Sequence, residues 1–156
     1  MARDQLNQFK AADTQFAERV RESFLKQDAL LMIGATIQKV EPGRVEISFD
    51  YDQRLTQQHG FIHAGILSTV LDSACGYAAY SLMSAEAGVL TIEFKTNLLS
   101  PAKGERFVAV GEVKKQGRTI TVAEGQMFAW EGAQEKLIAT MTGTLMTVNG
   151  RSDVAG

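Results

Sequence analysis

Residues 63–82 read HAGILSTVLDSACGYAAYSL, and the reading of this stretch decides the fold. Leu67, Val70, Leu71, Ala74, Ala78 and Leu82 recur at three- and four-residue intervals or their multiples, which predicts a helix from Gly65 to about Leu82. Its apolar stripe is broad, and a helix apolar on most of its faces must be wrapped by another layer. The apolar run from Phe61 to Met83 has the length of a membrane span. Asp72 sits near its middle, where a carboxylate in lipid is costly, and flanking Lys or Arg anchors are missing. The stretch therefore reads as a buried helix of a soluble protein.

Upstream the period changes. Val45, Ile47, Phe49 and Tyr51 alternate with Arg44, Glu46, Ser48 and Asp50, which is strand periodicity. Glu41-Pro42-Gly43-Arg44 is a tight turn, so 34–40 and 44–51 are expected to pair as a hairpin. Before it, Leu6, Phe9, Phe16, Val20 and Phe24 predict an amphipathic N-terminal helix, and Asp28 caps a short helix through Met32 that Gly34 ends.

Downstream lie four strand-like runs, 89–98, 106–114, 118–130 and 137–147, broken at Pro101-Ala102-Lys103-Gly104, Gln116-Gly117 and Glu131-Gly132. Such short connections predict that these four strands form an antiparallel meander. The expected class is α+β: an antiparallel sheet wrapped around a central apolar helix, with an N-terminal helix. Residues 1–156 read as one domain, with 1–28 an N-terminal helical extension and 149–156 a disordered tail.

Composition narrows the function. The 156 residues are 45% apolar, and 16 Lys+Arg against 18 Asp+Glu leave a net charge of −2. That balance argues against binding nucleic acid or a membrane surface through bulk charge. One cysteine excludes an intrachain disulfide, and with only two histidines it argues against a zinc site. Residues 1–26 lack the pattern of a secretory signal, and the expected location is cytoplasmic.

Among the apolar residues of the central helix Asp72 stands out. Ser68 lies one turn before it and Gly76 one turn after, a strip of small or polar residues on one face. Asp72 either faces solvent or a nearby hydroxyl, or it lines a cleft as a general base or nucleophile whose pKa burial tunes. The segment from Gln57 through His59 to Gly65 leads straight into the helix, whose first N–H groups suit a polarised carbonyl or an oxyanion. Gly60, Ala64 and Gly65 would let a ligand approach the backbone closely. Ala64 and Asp72 are eight residues apart, about 12 Å along a helix. If both serve one carbonyl, they come from different chains, which predicts a dimer with its site across the interface.

His63 and Cys75 are roughly 18 Å apart by the same measure and form no intrachain pair. Cys75 reads as an inert buried thiol. His59 and His63 are candidates for acid–base or ligand roles, or for ordering the loop by hydrogen bonding. There is no phosphate-binding glycine loop, dinucleotide fingerprint or Gly-x-Ser-x-Gly elbow.

His63-Ala64-Gly65, six further residues and then Asp72 resembles the His-Gly-Gly…Asp signature of the hotdog-fold acyl-CoA thioesterases of the PaaI-like branch. The resemblance runs from about residue 30 to 148. It takes in Gly34, Ser100-Pro101-Ala102 with Gly104, and Lys115-Gln116-Gly117-Arg118-Thr119. It implies hydrolysis of an acyl-CoA, with Asp72 acting on the thioester as base for water or as nucleophile. The backbone N–H of Ala64, where the family usually has glycine, would polarise the carbonyl. Gln57 takes the place of an asparagine that positions water or substrate, and Thr91 supplies a hydroxyl beside the aspartate.

The resemblance further implies substrate contacts at His59, His63, Gly65 and Ser68, and at Gly117, Arg118 and Thr119, with Arg118 meeting a phosphate of coenzyme A. Acyl depth would be set by residues such as Phe61, Ile66, Tyr77 and Tyr80. No metal or redox cofactor is implied; the expected assembly is a homodimer or homotetramer. Two other readings stand beside this one: a hotdog hydratase or dehydratase, with His63 of one chain near Asp72 of the other, and a non-catalytic acyl-CoA-binding protein.

Overall fold

The computed structural model describes residues 9–154. Its elements are α1 (Phe16–Phe24), α2 (Asp28–Ile33), β1 (Thr36–Glu41), β2 (Arg44–Asp50), α3 (Ala64–Tyr80), β3 (Gly88–Leu98), β4 (Arg106–Gln116), β5 (Ile120–Glu131) and β6 (Gln134–Val148). The strands form one sheet in the order β1-β2-β4-β5-β6-β3, each antiparallel to its neighbours. Alternation along the strands turns Val45, Ile47 and Phe49 inward with Phe107, Ala109 and Val113, and α3 lies on that face. The helix's Leu67, Val70, Leu71, Ala74 and Ala78 are all buried. This is the α+β architecture that the periodicities imply.

Glycine lets the two layers approach. Gly111 and Gly125 face each other across β4 and β5, directly under α3. A Cβ at Gly111 would stand 2.3 Å from the carbonyl oxygen of Ala74, and one at Gly125 would stand 3.1 Å from Cys75 Sγ. A side chain at Gly111 would lift the helix off the sheet.

Three expectations change. The last four strands are not a meander: β4, β5 and β6 are, but β3 pairs with β6 at the far edge. The cause is that β4 already has β2 and β5 as neighbours, which leaves β3 to pair at an edge, and it does so beside β6. The chain returns to β4 through residues 99–105, where Leu99 N–H bonds the Ile138 carbonyl at 2.8 Å and Ile62 N–H bonds the Ala102 carbonyl at 3.1 Å.

The N-terminal helix starts at Phe16, later than its apolar spacing implies. Asp13 turns the chain by accepting from the Gln15 N–H at 3.0 Å, and the Phe9 ring packs over Gly43 outside any helix. Leu6 lies outside the described residues. In the next helix Asp28 is the first residue and Gln27 holds the cap position, while Gly34 ends it in the left-handed conformation at φ 76°. Beyond β6, Ser152–Val154 forms a 3-10 turn packed against Gly88 of β3.

Arg19 of α1 ties this extension to α3. Its guanidinium donates to the carbonyls of Met83 at 2.8 Å and Ser84 at 3.1 Å, pairs with Asp13 at 3.1 Å, and lies 4.3 Å from the centre of the Tyr80 ring. A cation is well placed at the carbonyl end of a helix. Arg19→Ala is expected to cost about 2 kcal/mol, the scale of lost charge-assisted hydrogen bonds, and to lower Tm by several degrees in a thermal melt.

Candidate active site

A stapled loop sets the start of α3. Asp52 accepts from the Arg54 N–H at 2.8 Å, Thr56 bridges to Ile62, and His63 N–H bonds the Leu55 carbonyl at 2.9 Å. His63 then caps the helix. Its Nδ1 accepts from the Gly65 N–H at 2.8 Å, and its carbonyl accepts from Ile66 at 3.0 Å and Leu67 at 3.2 Å. Of the N–H groups in the helix's first turn, that of Ala64 alone has no acceptor among the described residues. His63 thus orders the start of the helix.

Gln57 lies in the same loop. Its amide oxygen accepts from the His59 N–H, its carbonyl accepts from the Gly60 N–H at 3.0 Å, and Tyr51 Oη donates to the Gly60 carbonyl at 3.2 Å. The Gln57 NH2 group has no hydrogen-bond partner among the described residues. His59 is exposed.

Further along α3 a polar groove opens against β3. Thr91 Oγ1 donates to Asp72 Oδ1 at 2.8 Å, and the Ser68 and Thr96 hydroxyls bond each other at 3.1 Å. Partial burial pushes the Asp72 carboxyl above the ordinary carboxylate range, and the Thr91 hydrogen bond pulls it partly back. The structure thus brings Asp72, Thr91 and Ser68 together. It leaves Ala64, Gly65 and His63 about 12 Å away along the same helix, so one chain does not unite the two halves.

The Ser68–Thr96 hydrogen bond is not legible in the sequence. Its only trace there is Thr96 on the inward side of β3, and a bulge near Ile92 hides that phase. Cys75 is buried beside this groove. Burial, followed by the charges of Asp72 and Glu124, pushes its thiol up to about 12, so it stays protonated and unreactive.

Two of the acyl-depth residues lie elsewhere. Tyr77 and Tyr80 are buried beneath α1, with the Tyr77 hydroxyl accepting from Gln27 Nε2 at 2.7 Å and Arg19 covering the Tyr80 ring. The extension has taken that face of α3. Phe61 and Ile66 are half-buried at the helix start.

At the other end of α3, a cavity of about 210 Å³ lies between the helix end and the turn joining β4 to β5. Gly117 and Arg118 line it, with Gln116, Thr147 and Asn149. Thr119 does not; its carbonyl accepts from the Thr147 N–H at 2.8 Å. Among the described residues no cluster of three His, Cys, Asp or Glu could hold a metal ion, and no helix is long and apolar enough to cross a membrane.

Known proteins share this fold. The sequence profile of the thioesterase superfamily matches residues 59–136, which run from the α3 entry loop into β6. A solved thioesterase family protein from Silicibacter pomeroyi is 58% identical, covering 86% of this chain and 99% of that one with a TM-score of 0.85. A protein of Saccharolobus solfataricus, named provisionally as an esterase, is 30% identical over 125 residues, 80% of this chain and 81% of its own. Acyl-coenzyme A thioesterase 13 of Mus musculus is 28% identical over 91 residues, 56% of this chain and 63% of its own. The E. coli PaaI protein, at 18% identity and a TM-score of 0.79 over 87% of this chain and 95% of that one, shares the fold. The chain belongs to the thioesterase superfamily.

Proposed function

We propose that the protein hydrolyses acyl-CoA thioesters to the free acid and coenzyme A. The observation that carries this reading is the half-buried Asp72 carboxylate, held by Thr91 in a groove that also touches the open edge of the sheet. Asp72 takes a proton from water as the water oxygen bonds to the carbonyl carbon. The tetrahedral intermediate then expels the thiolate, which ends as the thiol once protonated. The unpaired N–H of Ala64 of the partner subunit donates to the carbonyl oxygen, with the Gln57 amide beside it. The helix cap formed by His63 and Gly65 holds that donor in place, and His59 and Ser68 flank the substrate.

The second copy has a place to dock. Among the described residues no strand pairs with β3 on its outer side, and its Leu90, Ile92 and Phe94 are 40%, 52% and 44% exposed. A long apolar edge strand of this kind is a template for pairing, and two β3 edges related by a two-fold axis make a homodimer. Association into a tetramer would pair two such dimers. Arg118, with Gly117 and Thr119 in its turn, meets the phosphates of coenzyme A beside the cavity. The reaction as written uses no metal or redox cofactor, and its soluble substrate suits a cytoplasmic enzyme.

The test is a panel of CoA thioesters with detection of released thiol, run beside 2-enoyl thioesters assayed for hydration. Thiol release is the expected result. Hydration without thiol release, or tight binding of acyl-CoA with no turnover, overturns the reading.

Thr91 gives a finer prediction. Its hydrogen bond lowers the Asp72 pKa, so Thr91→Val removes a lowering influence. The acid limb of the kcat/KM pH profile is expected to move to higher pH, because the carboxylate form then appears later.

A further inference from the structure

The cavity of about 210 Å³ lies at the unfavourable end of α3 for an anion. Leu82, Met83 and Ser84 line it on one side, and Gly117 and Arg118 on another. Because α3 ends at Tyr80, the first side is the carbonyl end of the helix, the negative pole of its dipole. A phosphate drawn in by Arg118 therefore meets carbonyl oxygens as well as a guanidinium.

Arg19 of α1 answers that pole from behind the wall rather than within it. Its guanidinium donates to the Met83 carbonyl at 2.8 Å, to the Ser84 carbonyl at 3.1 Å and, more distantly, to the Tyr80 carbonyl at 3.5 Å. Among the described residues the Met83 carbonyl has no other donor. Two residues that line the cavity thus have their carbonyl oxygens aimed at Arg19. The Leu82 carbonyl is taken from the other side by Gln116 Nε2 at 3.5 Å.

Arg19 is itself fixed in place. Asp13 holds its Nε at 3.1 Å, the Tyr80 ring centre lies 4.3 Å from the guanidinium, and its side chain is only 14% exposed. A planar, permanently charged fork with five donors can serve several carbonyls at once.

We propose that Arg19 is a positioning residue for the nucleotide end of the CoA substrate: it keeps the Met83 and Ser84 carbonyls on itself and offsets the negative pole of α3, which leaves Arg118 free to hold a phosphate. This rests on the hydrolase reading above. Arg19 touches no reacting atom. Through it the N-terminal extension, which takes no part in the chemistry, sets how firmly the substrate is held.

The experiment compares wild type with Arg19→Ala and Asp13→Asn, each at a temperature where it is folded, on the CoA thioester and the pantetheine thioester of one acyl group. The second substrate has the arm but no nucleotide. Arg19→Ala is expected to raise KM for the CoA thioester about fivefold, the reach of a partly buried charge at a helix end, with kcat held within about twofold. KM for the pantetheine thioester should stay within about twofold of wild type. Asp13→Asn keeps an acceptor for Nε and removes a negative charge, so its KM for the CoA thioester should not rise. Should the alanine variant not fold, Arg19→Gln, which keeps a donor and loses the charge, is read in the same way. Equal rises on both substrates, an unchanged KM for the CoA thioester, or a rise in Asp13→Asn as large as that in the Arg19 variant overturns the proposal.

Calorimetric titration of free coenzyme A into wild type and the Arg19 variant reads this role apart from hydrolysis. Binding about fivefold weaker in the variant supports the proposal. Equal binding, or no binding to wild type, overturns it. Wild type that binds coenzyme A yet cleaves no thioester would remove the hydrolase reading, and the titration would then decide the role of Arg19 by itself.

Discussion

Asp72→Asn is expected to lower kcat on CoA thioesters by about 10²–10⁴-fold, the usual contribution of a positioned general base. The amide has the same shape and its oxygen can still accept from Thr91, so the groove keeps its geometry. What disappears is the proton acceptor, or the nucleophile if the carboxylate attacks directly. Stability separates this from unfolding. The folded state raises the Asp72 pKa through burial, so its neutral form is the one the fold favours. The resulting stabilisation is fully present below the unfolded pKa of about 3.9 and is lost as pH rises through the higher folded value. At neutral pH the wild type holds a partly buried carboxylate at a cost that asparagine avoids. The variant's Tm should therefore equal or exceed that of wild type at pH 7, with a larger difference there than at pH 3. Unchanged turnover on CoA thioesters would exclude Asp72 from the chemistry.

Ala64→Pro should cost about 10²–10³-fold in kcat, the effect of deleting one oxyanion donor. Proline is well accepted as the first residue of a helix because that N–H has no intrahelical partner. His63 already has the extended backbone that a following proline requires, with φ −62° and ψ 138°. The substitution therefore removes one hydrogen and little else, and Tm should hold. Mixing then tests whether the site is shared. Unfolding and refolding Ala64→Pro together with Asp72→Asn forms mixed dimers with one intact site each, and about a quarter of wild-type activity should return from an equimolar mixture. If no activity returns, the two groups do not meet across subunits.

The parts of the fold that are legible in the sequence are those with a local cause. The 44–50 alternation, the Pro42-Gly43 turn and the period of α3 each follow from contacts a few residues apart. Strand order does not: whether β3 sits beside β4 depends on β2 having taken that side, a fact carried by residues 44–50. Apolar spacing overstates the N-terminal helix because Phe9 keeps helical spacing while packing on Gly43. Arg19 leaves one faint sign, a charge within the apolar stripe of Phe16, Val20 and Phe24. At the site, Asp72 is legible as a carboxylate among apolar neighbours, whereas Thr91 is reached only through the resemblance, since nothing in β3 itself marks one threonine over another.

The pairing of β3 with β6 also fixes when the molecule becomes competent. Leu98 waits 41 residues for its ladder partner Ala139, and Gly88 waits 60 for Val148. During synthesis, therefore, Thr91 emerges long before the strand that will hold it, and no ladder anchors it against Asp72 until the ribosome has delivered its partner Leu145 in β6. A nascent chain stopped within β5 would already contain α3, β2 and β4, yet it would have a carboxylate facing an unanchored strand.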